Sequence, residues 1–434
     1  MDLIKNIFKG DKVIWIIFLC LCLISIVEVF SAASILTYKT GDHWAPIRQH
    51  FIFLMIGAIV VVIMHNIPYK WFQVFPVFLY PISIVMLAIV FLLGLFSGGR
   101  INGASRWLSI MGLQFQPSEI AKMAVIITVA YLLSKKKDND EDNAKTFKYI
   151  LIITFIVFAL IAPENMSTGF LLLGVVIMMM FIGGIAFKRM LKLIGTLLLI
   201  AILGITTIML IPQSLTEKGS VLHRVPTWQN RIKGFANKEK VSAAKFNIED
   251  NAQVAHAHIA IATCNVIGKG PGNSIQRDFL SQAYSDFIYA IIIEELGIEG
   301  GIFVVFLYIC LLIRVGRIAK ECDRTFPAFL VIGISLLLVA QALLNMMVAV
   351  GLFPVTGQPL PLVSKGGTST LVNCIYIGMI LSVSRYTAKL KDRRIHDENI
   401  KFQIENPPED SDAQTAVEPT SPMYNNDNAF DDRF

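Results

Sequence analysis

Apolar stretches of about twenty residues recur along almost the whole chain, separated by short polar or basic segments. The first runs from Val13 to about Ala33 and is interrupted by Glu28. Further runs cover roughly 50–66, 71–96, 118–134, 149–162, 168–187, 192–211, 297–315, 327–351 and 368–385. A helix needs about 20 residues to cross the hydrocarbon core of a bilayer, where only helices and closed barrels satisfy every backbone group. The pattern predicts an all-α polytopic membrane protein with about ten transmembrane helices, and an even count puts both termini on one side. The first run is too long for the core of a signal peptide and reads as an uncleaved span. The small residues Ser31, Ala32 and Ala33 keep cleavage open as an alternative.

Two segments break the rhythm. Residues 212–285 form a large polar loop between spans 7 and 8. From His396 to Phe434 the chain turns acidic and carries Pro407, Pro408, Pro419 and Pro422, too little apolar surface to fold. The expected organisation is a transmembrane domain over 1–395 and a disordered cytoplasmic tail over 396–434. Short-loop lysines and arginines fix the orientation. Lys135, Lys136, Lys137, then Lys188, Arg189, Lys192, then Arg314, Arg317, Lys320, Arg324, and finally Arg385, Lys389, Lys391, Arg393 and Arg394 all fall on the side of the N-terminus. That side is expected to be cytoplasmic. The loops near 35–49, 97–117, 212–285 and 352–367 are then expected to face outward.

Composition agrees with this picture. The 434 residues are 55% hydrophobic and 16% charged, with mean hydropathy +0.62, which excludes an ordinary soluble domain. The net charge of +6 sits in loops between spans and implies no nucleic-acid partner. The basic 212–285 loop could hold an anionic lipid head. Of the six cysteines, Cys264 alone lies in that loop, so no disulfide framework or CxxC metal pair is available.

Chemistry concentrates in four places. Asp278–Gly301 carries Asp286 where polar loop meets apolar run, followed by Glu294, Glu295 and Glu299. Acids at membrane depth are functional candidates by default. Asp286 is the candidate catalytic base, with a helix-capping carboxylate as the bland alternative. Gly98–Lys122 offers Arg106 for phosphate oxygens, and Glu119 and Lys122 three apart on one helix face, either lining a polar cavity or forming an intrahelical ion pair. Gly351–Thr370 has three prolines and several glycines between the last two spans, which suits a re-entrant loop lining a cavity, with Ser364, Lys365 and Thr368 as its polar groups. Gly268–Ser274 could form an amide nest for an anion, with Lys269 and Asn273 as substrate contacts, or a plain flexible loop. His256 and His258, two apart, face different ways on a helix and make a poor shared metal site.

The runs NGASRWL (102–108), FQPSEIAK (115–122), GNSIQ (272–276), SDFIYAIIIEELG (285–297) and PVTGQPLPLVSKGG (354–367) resemble the signature segments of the SEDS family of shape, elongation, division and sporulation proteins. The likeness spans roughly residues 10–390 with the same ten-span plan. Asn102 and the GNSIQ segment look more like the FtsW division branch than the RodA elongation branch. The resemblance implies a peptidoglycan glycosyltransferase that polymerises lipid II on the outer face of the bacterial inner membrane. It also implies a class B penicillin-binding protein transpeptidase and other division proteins as partners. The family's essential aspartate falls on Asp286, and its Glu and Lys of the QPSE-x-x-K motif on Glu119 and Lys122. The chain departs from the pattern at Ser281, at Tyr284 where a His is common, at Lys365 where an aromatic is common, and at Glu164–Gly169.

On this reading Asp286 takes the proton of the acceptor hydroxyl, and Arg106, Lys122 or Lys365 meets the charge of the leaving pyrophosphate. No cofactor is required, with room for a divalent cation, Mg or Mn. A lipid II flippase using Glu28, Glu119, Glu294 and Glu295 is the main rival, beside a non-catalytic scaffold for a transpeptidase.

Overall fold

The computed structural model describes residues 9–32, 44–96, 107–110, 113–137, 139–211, 225–236, 252–280 and 282–405. Its elements are α1 (Lys12–Ala32), α2 (Ala45–Asn66), α3 (Phe75–Phe96), a short hairpin of β1 (Leu108–Ile110) and β2 (Leu113–Phe115), α4 (Pro117–Lys135), α5 (Asp140–Ile182), α6 (Phe187–Leu210), α7 (Val225–Ala236), α8 (Ala252–Ala262), α9 (Ile288–Glu321), α10 (Thr325–Ala349) and α11 (Thr368–Glu405). Among the described residues, nine helices are long and apolar enough to cross a membrane. The protein is therefore an all-α multi-pass membrane protein. The small antiparallel hairpin, with Leu108 opposite Phe115, is an addition that the apolar pattern did not announce.

Nine helices make ten crossings because α5 is folded back on itself. A straight helix of its 43 residues would measure about 65 Å, twice the hydrocarbon thickness. Instead the rings of Phe158 and Phe170, about 18 Å apart on a straight helix, lie with centroids 5.5 Å apart. Lys136 Nζ donates to Gly184 O at 3.1 Å, and Arg189 pairs with Asp140 at 2.7 Å. Asn143 Nδ2, near the start of α5, also donates to Gly184 O at 3.2 Å, so the two ends of α5 meet. The reversal sits at Asn165 (φ −147°, ψ 75°), two residues after Pro163, whose missing N–H already weakens the helix. The runs expected at 149–162 and 168–187 are its two arms.

One unit spans Met1–Ala388 and a second spans Lys389–Phe434. In the first, α4 is the central post: Glu119 and Lys122 are buried on it, along with Ala121, Ala124, Val125, Ile126 and Ile127. Small residues let helices approach where lipid supplies no hydrophobic drive. Gly378 on α11 does the same against α2, since a Cβ there would stand 2.5 Å from Met64 Cβ. By contrast α6 buries Met190 alone among its described residues. One end of the bundle gathers Asp11 with Arg314, Asn66 with Arg385 and Tyr386 with Asp323. In the second unit α11 remains helical to Glu405, beyond the His396 expected to begin the tail. Asp392–His396, Arg393–Asp397 and Arg394–Glu398 spacings support an exposed helix there. The rest of the tail, 406–434, lies outside the described residues.

Candidate active site

Asp286 sits in a run of turns, residues 282–287, just before α9 begins at Ile288. Its position is set by partners around it. Asn345 Nδ2 on α10 donates to Asp286 O at 2.8 Å and to Gln358 O at 2.8 Å. Ser364 Oγ donates to Ser285 O at 2.6 Å, and Lys365 N donates to Tyr284 O at 2.9 Å. Ser285 Oγ donates to Asp286 Oδ1 at 3.0 Å. The loop between α10 and α11 thus holds Tyr284 and Ser285, and α10 holds Asp286 through Asn345.

That loop is the irregular segment expected from its prolines and glycines. Leu360, Leu362, Val363 and Ser364 are buried. Buried irregular backbone must find partners in protein, and three helices supply them. Ser25 Oγ on α1 donates to Val363 O at 2.7 Å. Tyr308 OH on α9 donates to Pro361 O. Gln341 Nε2 on α10 donates to Pro359 O at 3.1 Å, and Gln358 Nε2 donates to Thr168 Oγ1 on α5 at 2.6 Å. Ser25 Oγ spends its hydrogen on Val363, so the 2.8 Å contact with His50 Nε2 assigns the ring proton to that nitrogen. Buried Ser25 and His50 on the first two spans therefore pin the loop from behind.

The pair Glu119–Lys122 forms at 2.9 Å on α4, with side chains 3% and 0% exposed. Lys122 Nζ also donates to Gln341 Oε1 at 2.9 Å. A substrate contact in a polar cavity and an intrahelical ion pair were both open for these residues; the ion pair forms, and the ammonium is also tied through Gln341 to the loop beside Asp286.

Lys269 reaches a buried glutamate, and Asn273 stays exposed. The Gly268–Ser274 segment is an anion nest, and its anions are the protein's own. Glu294 and Glu295, both fully buried, receive Lys269 Nζ (2.6 Å) and Ile275 N (3.1 Å) on the first, and Gly272 N (2.9 Å) and Ser274 N (3.0 Å) on the second. Ser274 Oγ bonds Glu294, and Ser31 Oγ on α1 bonds Glu295. Asn273 Nδ2 closes the turn on Lys269 O at 3.0 Å. The nest fits because α9 breaks at Gly297 (φ +74°, ψ −176°). A Cβ there would stand 2.1 Å from Val266 O, and one on Gly268 2.3 Å from Glu295 O. Only glycine allows the two backbones to pass. His256 Nδ1 contacts Gln276 Oε1 at 2.7 Å, and its ring stacks on Phe279.

Of the expected groups, the structure brings together Asp286, Ser364 and Lys365. It places Glu119 and Lys122 behind them, and Lys269 and Asn273 on the neighbouring nest. Arg106 lies outside the described residues. Tyr284 is the contact that sequence reasoning passed over: its ring lies under Lys365 Nζ, 5.9 Å from the centroid. Burial, then the charge of Asp286, pushes its phenol above the usual range. Burial pulls the Lys365 ammonium below the usual lysine range. Gln341 and Asn345 were also missed, although two amides four apart in an apolar run are a legible signal. A separate cleft between α3, the start of α4 and the tip of α5 is lined by residues including Leu87, Gln116, Ser118 and Glu164. Among the described residues, no group of three or more His, Cys, Asp or Glu side chains could hold a metal ion.

A bundle of membrane helices with an aspartate fixed by a buried re-entrant loop defines a multi-pass membrane protein with an acid site at one end. The chain belongs to the FtsW, RodA and SpoVE family of cell cycle proteins, whose family model matches residues 11–389. It is 30% identical over 377 residues to a "Probable peptidoglycan glycosyltransferase FtsW" of Trichlorobacter lovleyi, covering 86% of this chain and 93% of that protein. It is 30% identical over 383 residues to the "Stage V sporulation protein E" of Bacillus subtilis, covering 87% and 97%. A solved structure described as "Structural coordination of polymerization and crosslinking by a peptidoglycan synthase complex" shares the fold at TM-score 0.66 and 23% identity, over 88% of this chain and 99% of that one.

Proposed function

We propose that this protein is a peptidoglycan glycosyltransferase that polymerises lipid II into glycan strands during septal cell-wall synthesis. The observation that carries the reading is Asp286, held at the head of α9 by hydrogen bonds to Tyr284, Ser285 and its own carbonyl. Relatives across most of the chain named as glycosyltransferases support it. The acceptor sugar's 4-hydroxyl oxygen attacks the donor's anomeric carbon. The new C–O bond forms as the bond from that carbon to the pyrophosphate oxygen breaks. Asp286 accepts the hydroxyl proton, and the electron pair leaves with undecaprenyl pyrophosphate. Attack opposite the leaving group inverts the carbon. General-base help of this kind contributes on the order of 10²–10⁴ in rate.

A fixed scaffold suits this chemistry, because a misplacement of about 1 Å can cost on the order of 10²-fold. Glu119 and Lys122 act through Gln341 as positioning residues. A divalent cation, Mg or Mn, would arrive with the donor rather than in a protein cage, and would supply charge neutralisation of the leaving pyrophosphate. The protein lies in the bacterial inner membrane with both termini cytoplasmic, the end bearing Arg314 and Arg385 inside and the Asp286 end outside. A class B penicillin-binding protein takes the nascent glycan for crosslinking beside it, within the division machinery.

The test is polymerisation of purified lipid II by the full chain in proteoliposomes, alone and with the transpeptidase. Asp286→Ala is expected to abolish glycan in a protein of unchanged melting temperature. Substantial polymer from that variant, or lipid II crossing the bilayer unaltered with no polymer from the wild type, overturns the proposal.

A further inference from the structure

Expelling a pyrophosphate calls for a cation at the departing oxygens, across the reacting carbon from the base, and the structure separates the lysines by what already occupies them. Lys122 is fully buried and shared between Glu119 and Gln341. Lys269 serves Glu294. Lys365 differs from both. Its residue is half-buried at the edge of the loop, and its ammonium rests 5.9 Å from the centre of the Tyr284 ring, with no carboxylate within ion-pair distance among the described residues. Tyr284 stands two residues before Asp286 in the same turn, so the ammonium rests on the ring of the segment that carries the base.

The root of Lys365 is fixed rather than floppy. Ser25 holds Val363 O, Ser364 holds Ser285 O, and the amide of Lys365 itself holds Tyr284 O. Three consecutive loop residues are pinned, two of them to the residues immediately before Asp286. A pre-placed cation binds an anion without first losing its own freedom.

We propose that Lys365 binds the pyrophosphate of the lipid-linked donor and steadies it as it leaves. This rests on Asp286 being the site of glycosyl transfer, and it singles out the lysine packed on the Asp286 turn for the leaving group. A charge-assisted hydrogen bond of this kind is roughly twice as strong as a neutral one, about 10- to 100-fold in affinity. The pH dependence follows from the surroundings. The titratable groups about the ammonium are Tyr284 on the turn, whose ring it overlies, and His50 on α2. Burial lowers the proton affinity of the amine. The cation is complete at lower pH and is lost as pH rises through that lowered value, while ordinary lysines are still charged. Donor affinity should therefore fall on the alkaline side.

The experiment measures lipid II polymerisation by full-length wild type, Lys365→Gln and Lys365→Arg in proteoliposomes, with inorganic pyrophosphate as competitor. Lys365→Gln is expected to raise KM for lipid II about 10- to 100-fold, weaken competitive inhibition by pyrophosphate by a similar factor and remove the alkaline limb of kcat/KM. Lys365→Arg is expected to keep KM within about threefold and move that limb to higher pH, because a guanidinium holds its proton. The inference is overturned if Lys365→Gln leaves KM and pyrophosphate inhibition within twofold of wild type. It is also overturned if KM rises with pyrophosphate inhibition intact, which would place the lysine on another part of the donor. Should Lys365→Gln fail to fold, the arginine variant decides, and an unmoved alkaline limb rejects the assignment. If Asp286→Ala is dead while Lys365→Gln behaves as wild type, this inference alone fails. An active Asp286→Ala removes the reading beneath it.

Discussion

Asn345 offers the sharpest test of how the base is held. Its side chain is 1% exposed, and one nitrogen carries two hydrogen bonds of 2.8 Å, to Asp286 O and Gln358 O. Leucine has the same branched heavy-atom skeleton and no donor. Asn345→Leu deletes both bonds and leaves two carbonyls to find partners. Each lost bond is worth about 1 kcal/mol net, and more where a buried acceptor is left bare. About 2–3 kcal/mol therefore leaves the joint between the base and its loop. At tenfold per 1.36 kcal/mol, that corresponds to a fall of roughly 30- to 150-fold if it appears in the transition state. The loss should fall on kcat, with KM for lipid II within about threefold, because Asn345 orients the base and the donor cation sits elsewhere. Steady-state polymerisation by the purified variant measures both. A variant that is monodisperse, melts like wild type and retains kcat within threefold would refute the idea that this amide places Asp286.

Other outcomes follow from the same geometry. Gly297→Ala must force a side chain into a conformation reserved for glycine and against Val266 O, so it should destabilise by about 3 kcal/mol or more, read as a clear drop in melting temperature; an unchanged melt would contradict the break in α9. Lys269→Met strips Glu294 of its buried counter-charge and should cost about 2–3 kcal/mol, most of it recovered in the double variant with Glu294→Gln; equal melting temperatures for the single and double variants would refute the pairing. Cysteines at Phe158 and Phe170 should crosslink under mild oxidation, since the fold-back brings the rings to 5.5 Å, and failure with short bifunctional reagents would favour a straight helix.

Much of the architecture was readable because lipid leaves a chain few options: runs of the right length become helices, and basic loops gather at one end. The count of ten crossings survived because Pro163 and the non-helical Asn165 mark the reversal between the two arms of α5. The acid at the polarity change and the proline-rich loop were also visible in sequence. What could not be read was which charges would be spent inside the protein. Lys122 and Lys269 look like substrate ligands in a one-dimensional pattern, since nothing local reveals that Gln341, 219 residues away, or Glu294, 25 residues away, will meet them. The nest at Gly268–Ser274 was recognisable as an anion holder, but its occupant is supplied by tertiary folding. Tyr284 was noted only as an unusual residue before the aspartate, because a cation resting on its ring depends on two distant segments meeting.

The wrap of the Gly268–Arg277 loop around Glu294 and Glu295 has a consequence for anyone who exchanges parts between relatives. The loop and the broken helix beneath it are halves of one lock: two glycines clear the crossing, two glutamates wait below, and the lysine, serine and backbone amides come from above. A chimera that transplants residues 212–285 without Glu294, Glu295 and Gly297 would strand buried charge on one side and bare amides on the other. The transferable cassette must run past the helix break, and a swap cut at the apparent loop boundary should fail to mature while one cut beyond Gly297 succeeds.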